Sequence, residues 1–469
     1  MKKNLILLLS FLFLAACAST VNPWDRPVYT QEAQSAPRDL SLPGEQQTEW
    51  QTQSAGVYLP TAPPPDAVLT AAIPGAEDRT HYDSYGAYKS YDAAPSDSSV
   101  TAAAPALPAV KVALLVPLSG PQADLGQALL QAAQLALFDM DYGAFELIPR
   151  DTAGTPAGAR AAAQGAAENG AQLILGPVFA DSVRAAKPVA SRYNIPMVAF
   201  STDWTLAGGN TYVMGFLPFA QVQRVVQYAA TQGLGRIGVL IPDDSYGNAV
   251  GAAYQAAAMR AGIETVAFTR YPVGQTDIST LVRQFTRYDS RLDPETGDPD
   301  PTAPIPFDAV LMPSGGGQAQ AVANLLSYYD LGPRKVRRLG TGLWDDNSVL
   351  TEPNLAGGWF AAPAPEARAS FESRYKDTYG RLPPRLATLS YDATALAAVL
   401  ARNSYYRTGQ VSFDYYAMTN PNGFSGLDGV FRFRPDGLVE RGLAVLEVRG
   451  SQLRVVDPAP RTFQSATMP

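Results

Sequence analysis

One cysteine, Cys17, and one histidine, His81, are all the thiol and imidazole that 469 residues offer. That excludes a zinc cluster and a disulfide framework, and any Ser-His or Cys-His dyad unless His81 itself serves. The other candidates for chemistry are two acidic pairs, Asp243-Asp244 and Asp345-Asp346, and a set of hydroxyl and glycine residues that follow short apolar runs. Two carboxylates can supply the acid and base of glycan cleavage. Adjacent loop residues point apart, however, and both pairs precede expected helix starts, where an Asp caps free N–H groups and complements the dipole. Capping is therefore the expected role, and no catalytic residue, metal or cofactor is expected. The hydroxyl and glycine set reads Pro117-Leu118-Ser119-Gly120, Gly176-Pro177-Val178-Phe179, Phe200-Ser201-Thr202-Asp203, Pro242 to Gly247, and Pro313-Ser314-Gly315-Gly316-Gly317. Such residues let a ligand approach backbone N–H groups, although any one Ser, Thr or Asp serves equally as a helix cap. The triple glycine is not a P-loop, because no Gly-Lys-Ser/Thr follows it.

What must position these residues is an alternation of short strands and amphipathic helices. Residues 110–116 (VKVALLV) are an apolar, β-branched run, and 123–138 carry Leu125, Leu129, Ala132, Ala133, Ala136 and Leu137 at helical spacing. The unit repeats, with strands expected at 145–148, 172–175, 197–200, 212–215, 236–241, 265–269 and 309–312. Helices are expected at 157–169, 181–193, 221–232, 246–261, 278–288 and 318–329. This pattern implies parallel sheets covered on both faces. In open sheets of that kind ligands sit beyond the carboxyl ends of the strands, where helix N-termini also point. The hydroxyl and glycine set falls at those ends.

The 36 Lys and Arg against 43 Asp and Glu give a net charge of -7 and a pI near 5.0. Nucleic acid is not an expected partner, since phosphate contacts need clustered basic residues. The only long apolar run, Leu5 to Ala16, is too short to span a bilayer. Lys2 and Lys3 precede the apolar stretch from Ile6 to Leu14, and Leu14-Ala15-Ala16-Cys17 closes it with small residues, the pattern of a bacterial lipoprotein signal peptide. The motif resembles a lipobox, which implies that residues 1–16 are removed and Cys17 is lipidated. At about 0.8 kcal/mol per buried CH2, several acyl chains make a permanent membrane anchor. Ala18 after the cysteine resembles the outer-membrane sorting pattern, so the periplasmic face of the outer membrane is the expected location. Residues 17–108 hold 12 Pro, 4 basic and 11 acidic residues with no apolar period, and are expected to form a disordered tether. A flexible chain of that length spans roughly 50 Å. Tyr82, Tyr85, Tyr88 and Tyr91 recur within it every third residue and read as low-complexity drift.

Four stretches, VALLVPLSGPQADLGQ, QLILGPVFADSV with NIPMVAFST, RIGVLIPDDSYGNAVGAAYQAAAMRAGIE and FDAVLMPSGGGQA, resemble the type I periplasmic binding protein fold of the leucine-binding-protein-like group. The ending FSGLDGVFRFRPDGLVERGLAVLEVRGSQLRVV resembles its C-terminal β segment, so the likeness covers about residues 110–456. It implies two doubly wound α/β lobes around a cleft, joined by three crossovers. Lobe 1 is expected at 109–218 and 364–405, lobe 2 at 219–363 and 406–456, and a tail at 457–469. For amino-acid binders of this group the resemblance implies a clamp in which Ser201 or Thr202 and Tyr246 match a threonine and an aromatic residue. Elsewhere this chain departs: Ala180 stands at the carboxylate-binding serine with Ser182 nearby, Gly315 at the second-lobe tyrosine, and no acid matches around Gly342, with Asp345 and Asp346 only close by. The cleft candidates are therefore Ser119, Gly120, Ser182, Ser201, Thr202, Tyr246, Ser314 and Gly315, for a small amino-acid-like ligand.

The same body resembles the penicillin-binding-protein activators, the LppC/LpoA lipoprotein family. The features are the lipobox, the Pro- and Asp-rich insertion Asp289 to Pro306, where those activators carry a disordered insert, and the stretch IPDDSYGNAV. The helical-repeat N-terminal domain of some members is replaced here by the tether. The resemblance implies a lipid-anchored regulator, not an enzyme, whose partner is a class A penicillin-binding protein making peptidoglycan. The alternative is the substrate-binding protein of an ABC transporter for branched-chain or related amino acids.

Overall fold

A computed structural model describes residues 107–463 apart from Thr276. The signal segment, Cys17, His81, the tyrosine repeat and nearly all of the expected tether lie outside the described residues, as do residues 464–469.

The first lobe is built on β1 (Val110–Val116), β2 (Phe145–Asp151), β3 (Leu173–Leu175), β4 (Met197–Ala199) and β5 (Thr211–Val213), with α1 (Ala123–Met140), α2 (Pro156–Glu168) and α3 (Ala180–Arg192) between them. Its five strands are all parallel, in the order β2-β1-β3-β4-β5. Val112 to Val116 are wholly buried without alternation, which requires helices on both faces of the sheet. The second lobe follows with α4 (Pro218–Thr231), β6 (Arg236–Pro242), α5 (Ser245–Ala261), β7 (Glu264–Tyr271), α6 (Ser279–Phe285), β8 (Ala309–Leu311), α7 (Gly316–Tyr328), β9 (Arg337–Gly340), α8 (Asn347–Leu350) and β10 (Trp359–Ala362). Along β6, Ile237, Val239 and Ile241 enter the core shared with α4 and α5, while Leu240 enters the core shared with α6 and α7, the two-residue period of a strand covered twice.

The chain then returns to the first lobe. In α9 (Pro365–Tyr379), Phe371 and Tyr375 pack with Ala128, Ala132 and Leu135 of α1, and α10 (Ala387–Thr408) lies along the same helix. After α11 (Tyr415–Met418), the strands β11 (Phe424–Gly426), β12 (Gly429–Phe433) and β13 (Val439–Arg441) form a small antiparallel sheet. Finally β14 (Ala444–Arg449) and β15 (Gln452–Asp457) add antiparallel strands to the second sheet, whose order is β15-β14-β10-β9-β8-β6-β7. The lobes are thus connected at 214–217, 363–364 and 442–443, the three crossovers expected.

Three expectations need correction. Phe413, Met418, Phe431, Phe433 and Val439 lie in the core of the first lobe, not the second, so the lobe boundary falls near residue 442 and not 406. The cause is the aromatic face of β12, where Phe433 stacks 5.1 Å from Tyr212 of β5. The insertion Asp289 to Pro306 is folded. Asp293 Oδ1 accepts the N–H groups of Glu295 and Thr296 at 2.7 and 3.1 Å, and Leu292 bridges to Pro299. Arg291, buried, donates to the carbonyls of Thr286 and Tyr329 and pairs with Asp330 at 3.2 Å. Its Asp and Pro content builds side-chain-capped turns where disorder was expected. The sequence pattern also announces neither β9 nor β10: in Arg337-Arg338-Leu339-Gly340 the buried Arg338 interrupts any apolar run.

Candidate functional site

The carboxyl ends of the strands carry the hydroxyl and glycine set. In both lobes the helix after the first strand lies hard against that strand's end: a Cβ on Gly126 or on Gly247 would fall 1.8 Å from the carbonyl oxygen of Pro117 or Pro242. Only glycine allows that approach.

In the first lobe Asp151, ending β2, accepts the N–H groups of Leu118, Ser119 and Ala153 at 2.7–3.1 Å and the Ser119 hydroxyl at 2.5 Å. Burial pulls its carboxyl up, but these bonds outweigh that and hold it below the usual carboxylate range. Ser119 is therefore committed to folding the loop, which leaves Gly120, at φ 79°, as exposed backbone. Ser201 is buried and its hydroxyl accepts the Asp203 N–H at 3.1 Å, with Thr202 beside it partly exposed. Ser182, third residue of α3, is 1% exposed, and its hydroxyl has no hydrogen-bond partner among the described residues.

In the second lobe the Tyr246 hydroxyl lies 2.8 Å from Thr341 Oγ1, which itself donates to the Pro313 carbonyl at 3.3 Å. Desolvation of that hydroxyl pushes the phenol well above its usual range, the bond to Thr341 pulling the other way. Tyr271 makes a short hydrogen bond with Ser314 and is pushed up to about 12, chiefly by burial. The Ser314 carbonyl accepts the indole N–H of the wholly buried Trp344 at 2.9 Å. Gly315 is close-packed, since a Cβ there would lie 3.0 Å from that of Leu343. The Gly342 N–H donates to Gln221 of α4 at 2.7 Å.

Of the acidic pairs, Asp244 caps α5 through the Gly247 N–H at 2.7 Å, and Asp346 caps α8 through the Ser348 N–H at 2.9 Å. Asp345 does something else. It is 9% exposed and bridges the lobes, pairing with Arg368 of α9 and with Arg385 Nε at 3.4 Å, just before α10. Arg385 continues to the wholly buried Asp428 at 2.8 Å and lies 4.2 Å over the ring of Phe216 in the first crossover. Arg441, at the last crossover, stacks on the same ring at 5.1 Å and donates to the Met214 carbonyl. Asp392 is buried beside Asp428 and is pushed up to about 7, by desolvation first and by the Asp428 charge second. Burial also raises Asp428, but Arg385 and Arg441 outweigh it and hold that carboxyl down.

Tyr246 and Ser314 thus share one hydrogen-bonded layer in the second lobe, with Gly315 packed on Leu343 next to Ser314, whereas Ser119 is drawn away to Asp151. Tyr271, Thr341, Gln221 and Trp344 are additions to the expected set. Tyr271 lies two residues past the expected end of its strand, and Thr341 follows the strand that the pattern does not announce; Gly340-Thr341-Gly342 is the signal that marks it. Among the described residues no three His, Cys, Asp or Glu groups gather as a metal would need, and no helix is long and apolar enough to cross a membrane. The layer is made of phenols, hydroxyls and backbone N–H groups, the means to hold a polar solute by hydrogen bonds.

The family model described as "Periplasmic binding protein" matches residues 109–452. No curated protein matches the sequence. Among solved structures, a Rhodospirillum rubrum protein assigned to a branched-chain amino acid ABC transporter is similar at TM-score 0.63 and 16% identity, over 74% of this chain and 100% of that one. A Rhodopseudomonas palustris ABC transporter solute-binding protein, in complex with 3,4-dihydroxybenzoic acid, aligns at TM-score 0.54 and 18% identity over 75% and 96%. The branched-chain amino acid substrate-binding protein of Streptococcus pneumoniae, in complex with isoleucine, aligns at 0.52 and 17% over 75% and 100%.

Proposed function

The chain belongs to the periplasmic binding protein family, and from that premise we propose that it is a non-enzymatic solute-binding protein, the capture component of an ABC transporter for a small acid of amino-acid size. The observation that carries this is the layer of Tyr246, Thr341, Ser314 and Tyr271 at the strand ends of the second lobe. Hydroxyls and helix N-termini converging at strand ends are how an open α/β sheet holds a ligand. Proteins of the same fold hold isoleucine and 3,4-dihydroxybenzoic acid.

The test is a thermal-shift screen of the mature chain carrying Cys17→Ser. A solute at 100 times its Kd adds about 2.7 kcal/mol of stability, and Tyr246→Ala is expected to remove the response. A screen of amino acids, aliphatic acids and aromatic acids with no response would refute the reading.

Cys17 is proposed as a lipid anchor on the periplasmic side, by the outer-membrane sorting pattern or, for a transporter, on the membrane that holds the permease. Cys17→Ser is expected to move the protein to the soluble periplasmic fraction, and continued sedimentation with membranes would count against the anchor. The synthase-activator reading keeps the lipobox but loses the disordered insert as a support. Capture of a class A penicillin-binding protein with a change in glycan polymerisation, and no solute response, would restore it.

A further inference from the structure

We infer that the second lobe carries a site for a phosphate monoester at the amino ends of its strands, at the other end of the sheet from Tyr246 and Ser314 and independent of the solute-binding reading. The folded insertion and the turn after α6 wall a cavity of about 210 Å³, and three arginines line it, Arg236, Arg287 and Arg291. No acidic side chain does. The acids nearby are engaged by other groups. Asp308 accepts the N–H groups of Gly235 and Arg236 at 3.1 and 2.9 Å, Asp330 is shared by Arg291 at 3.2 Å and Lys335 at 2.6 Å, and Asp289 pairs with Arg283 at 2.6 Å. Within the insertion, Asp293 and Asp300 accept N–H groups of their own turns.

Donors, by contrast, are left over. Arg236 gives Nη2 to the Ile305 carbonyl at 2.5 Å, but its buried Nε, 3.9 Å from Asp308 Oδ1, has no hydrogen-bond partner among the described residues. Arg291 uses three of its five N–H groups on the Thr286 and Tyr329 carbonyls and on Asp330. Arg287 is exposed and joins no ion pair among the described residues. Its backbone, at φ 52°, takes the left-handed position after a helix that glycine usually fills. It is held there by its own N–H on the Gln284 carbonyl at 3.0 Å and by Ser290 Oγ, which donates to its carbonyl at 2.9 Å. That turn sets an unpaired guanidinium against the cavity. Three guanidinium groups around one space select the anion: a carboxylate has two oxygens in one plane and is matched by a single arginine fork, whereas a phosphate dianion turns oxygens to several sides at once. Pro304, Ile305 and Pro306 complete the wall, an apolar cover for the carbon beside the ester oxygen.

The experiment is titration calorimetry of the mature Cys17→Ser chain with glycerol 3-phosphate and with acetate, at fixed ionic strength and above the second phosphate pKa of about 6. Glycerol 3-phosphate is expected to bind at least about tenfold tighter than acetate. Arg287→Gln is expected to abolish that margin while leaving the melting temperature within about a degree of the parent, as an exposed change should. Arg287→Lys restores part of the margin, and Tyr246→Ala leaves it intact. Vesicles of phosphatidylcholine with and without phosphatidic acid separate the sources of the phosphate. Sedimentation with the phosphatidic acid vesicles that Arg287→Gln removes assigns the site to a lipid headgroup, and binding of the soluble ester alone assigns it to a free phosphate ester. Failure of glycerol 3-phosphate to bind tighter than acetate, or a margin that ignores Arg287→Gln, overturns the inference. So does loss of the margin in Tyr246→Ala, which would put the anion at the carboxyl ends of the strands.

Discussion

Asp392 is the residue whose ionisation the fold opposes most plainly among the described carboxylates. Its oxygens accept the N–H groups of Leu427 at 2.7 Å and Asp428 at 3.4 Å, and Gly426 passes so close that a Cβ there would touch them at 2.5 Å. Folding moves its carboxyl from 3.8 up to about 7. Between those values the folded chain keeps a proton that the unfolded chain has released, so this group's contribution to stability is full below pH 3.8, falls as pH rises, and is lost above about pH 7. Asp392→Asn keeps the shape and cannot ionise. The variant is expected to gain on the parent steadily from pH 4 to 7.5 in urea denaturation, by more than about 1.4 kcal/mol, the equivalent of one tenfold change in proton affinity. Parallel profiles would show that Asp392 ionises freely in the folded chain. Nothing in the local sequence marks it, since Ser390-Tyr391-Asp392-Ala393 reads as an ordinary helix turn until α10 is seen against β11 and Arg441.

At the scale of elements, the insertion between α6 and β8 turns on Arg291. Removing it strands two buried carbonyls, at about 1–3 kcal/mol each, and frees the loop between Leu292 and Pro306. Arg291→Ala is therefore expected to speed Glu-C cleavage after Glu295 at least tenfold without lowering the global denaturation midpoint by a comparable factor. Equal rates in parent and variant would mean that the insertion is not held by this anchor. The same region shows how far elements can be read from residues. Strands such as β1 and β6, apolar and β-branched throughout, are legible because burial on both faces writes itself into every position. The strand β9 is not, because the backbone carbonyls of Leu331 and Val336 solvate the Arg338 guanidinium inside the protein, and no local pattern reports a partner seven residues away. Likewise the candidate hydroxyls were visible as types, but whether each faces a ligand or a neighbour depends on pairings such as Ser119 with Asp151, 32 residues apart.

For the molecule as a whole, the proposed solute capture turns on what holds the two lobes together. Asp345 reaches from the second lobe to two arginines of the first, and Arg385 ties that contact to Asp428, Phe216 and so to the crossovers. Both ends are mostly buried, with Asp345 9% and Arg368 15% exposed, so the bond is screened far less than a surface pair. A tie of this kind favours joined lobes before any solute arrives, and apparent affinity scales with the fraction of molecules already in the binding-competent state. Asp345→Asn is expected to raise the radius of gyration of the solute-free chain in small-angle scattering, to leave that of the saturated chain unchanged, and to weaken solute binding by about tenfold, or about 1.4 kcal/mol. The two readouts separate this role from direct contact with the solute. If Asp345 instead received a ligand's charge, affinity would fall while the solute-free dimensions stayed as they were, and the tie would have to be abandoned as the element that sets the resting state of the lobes.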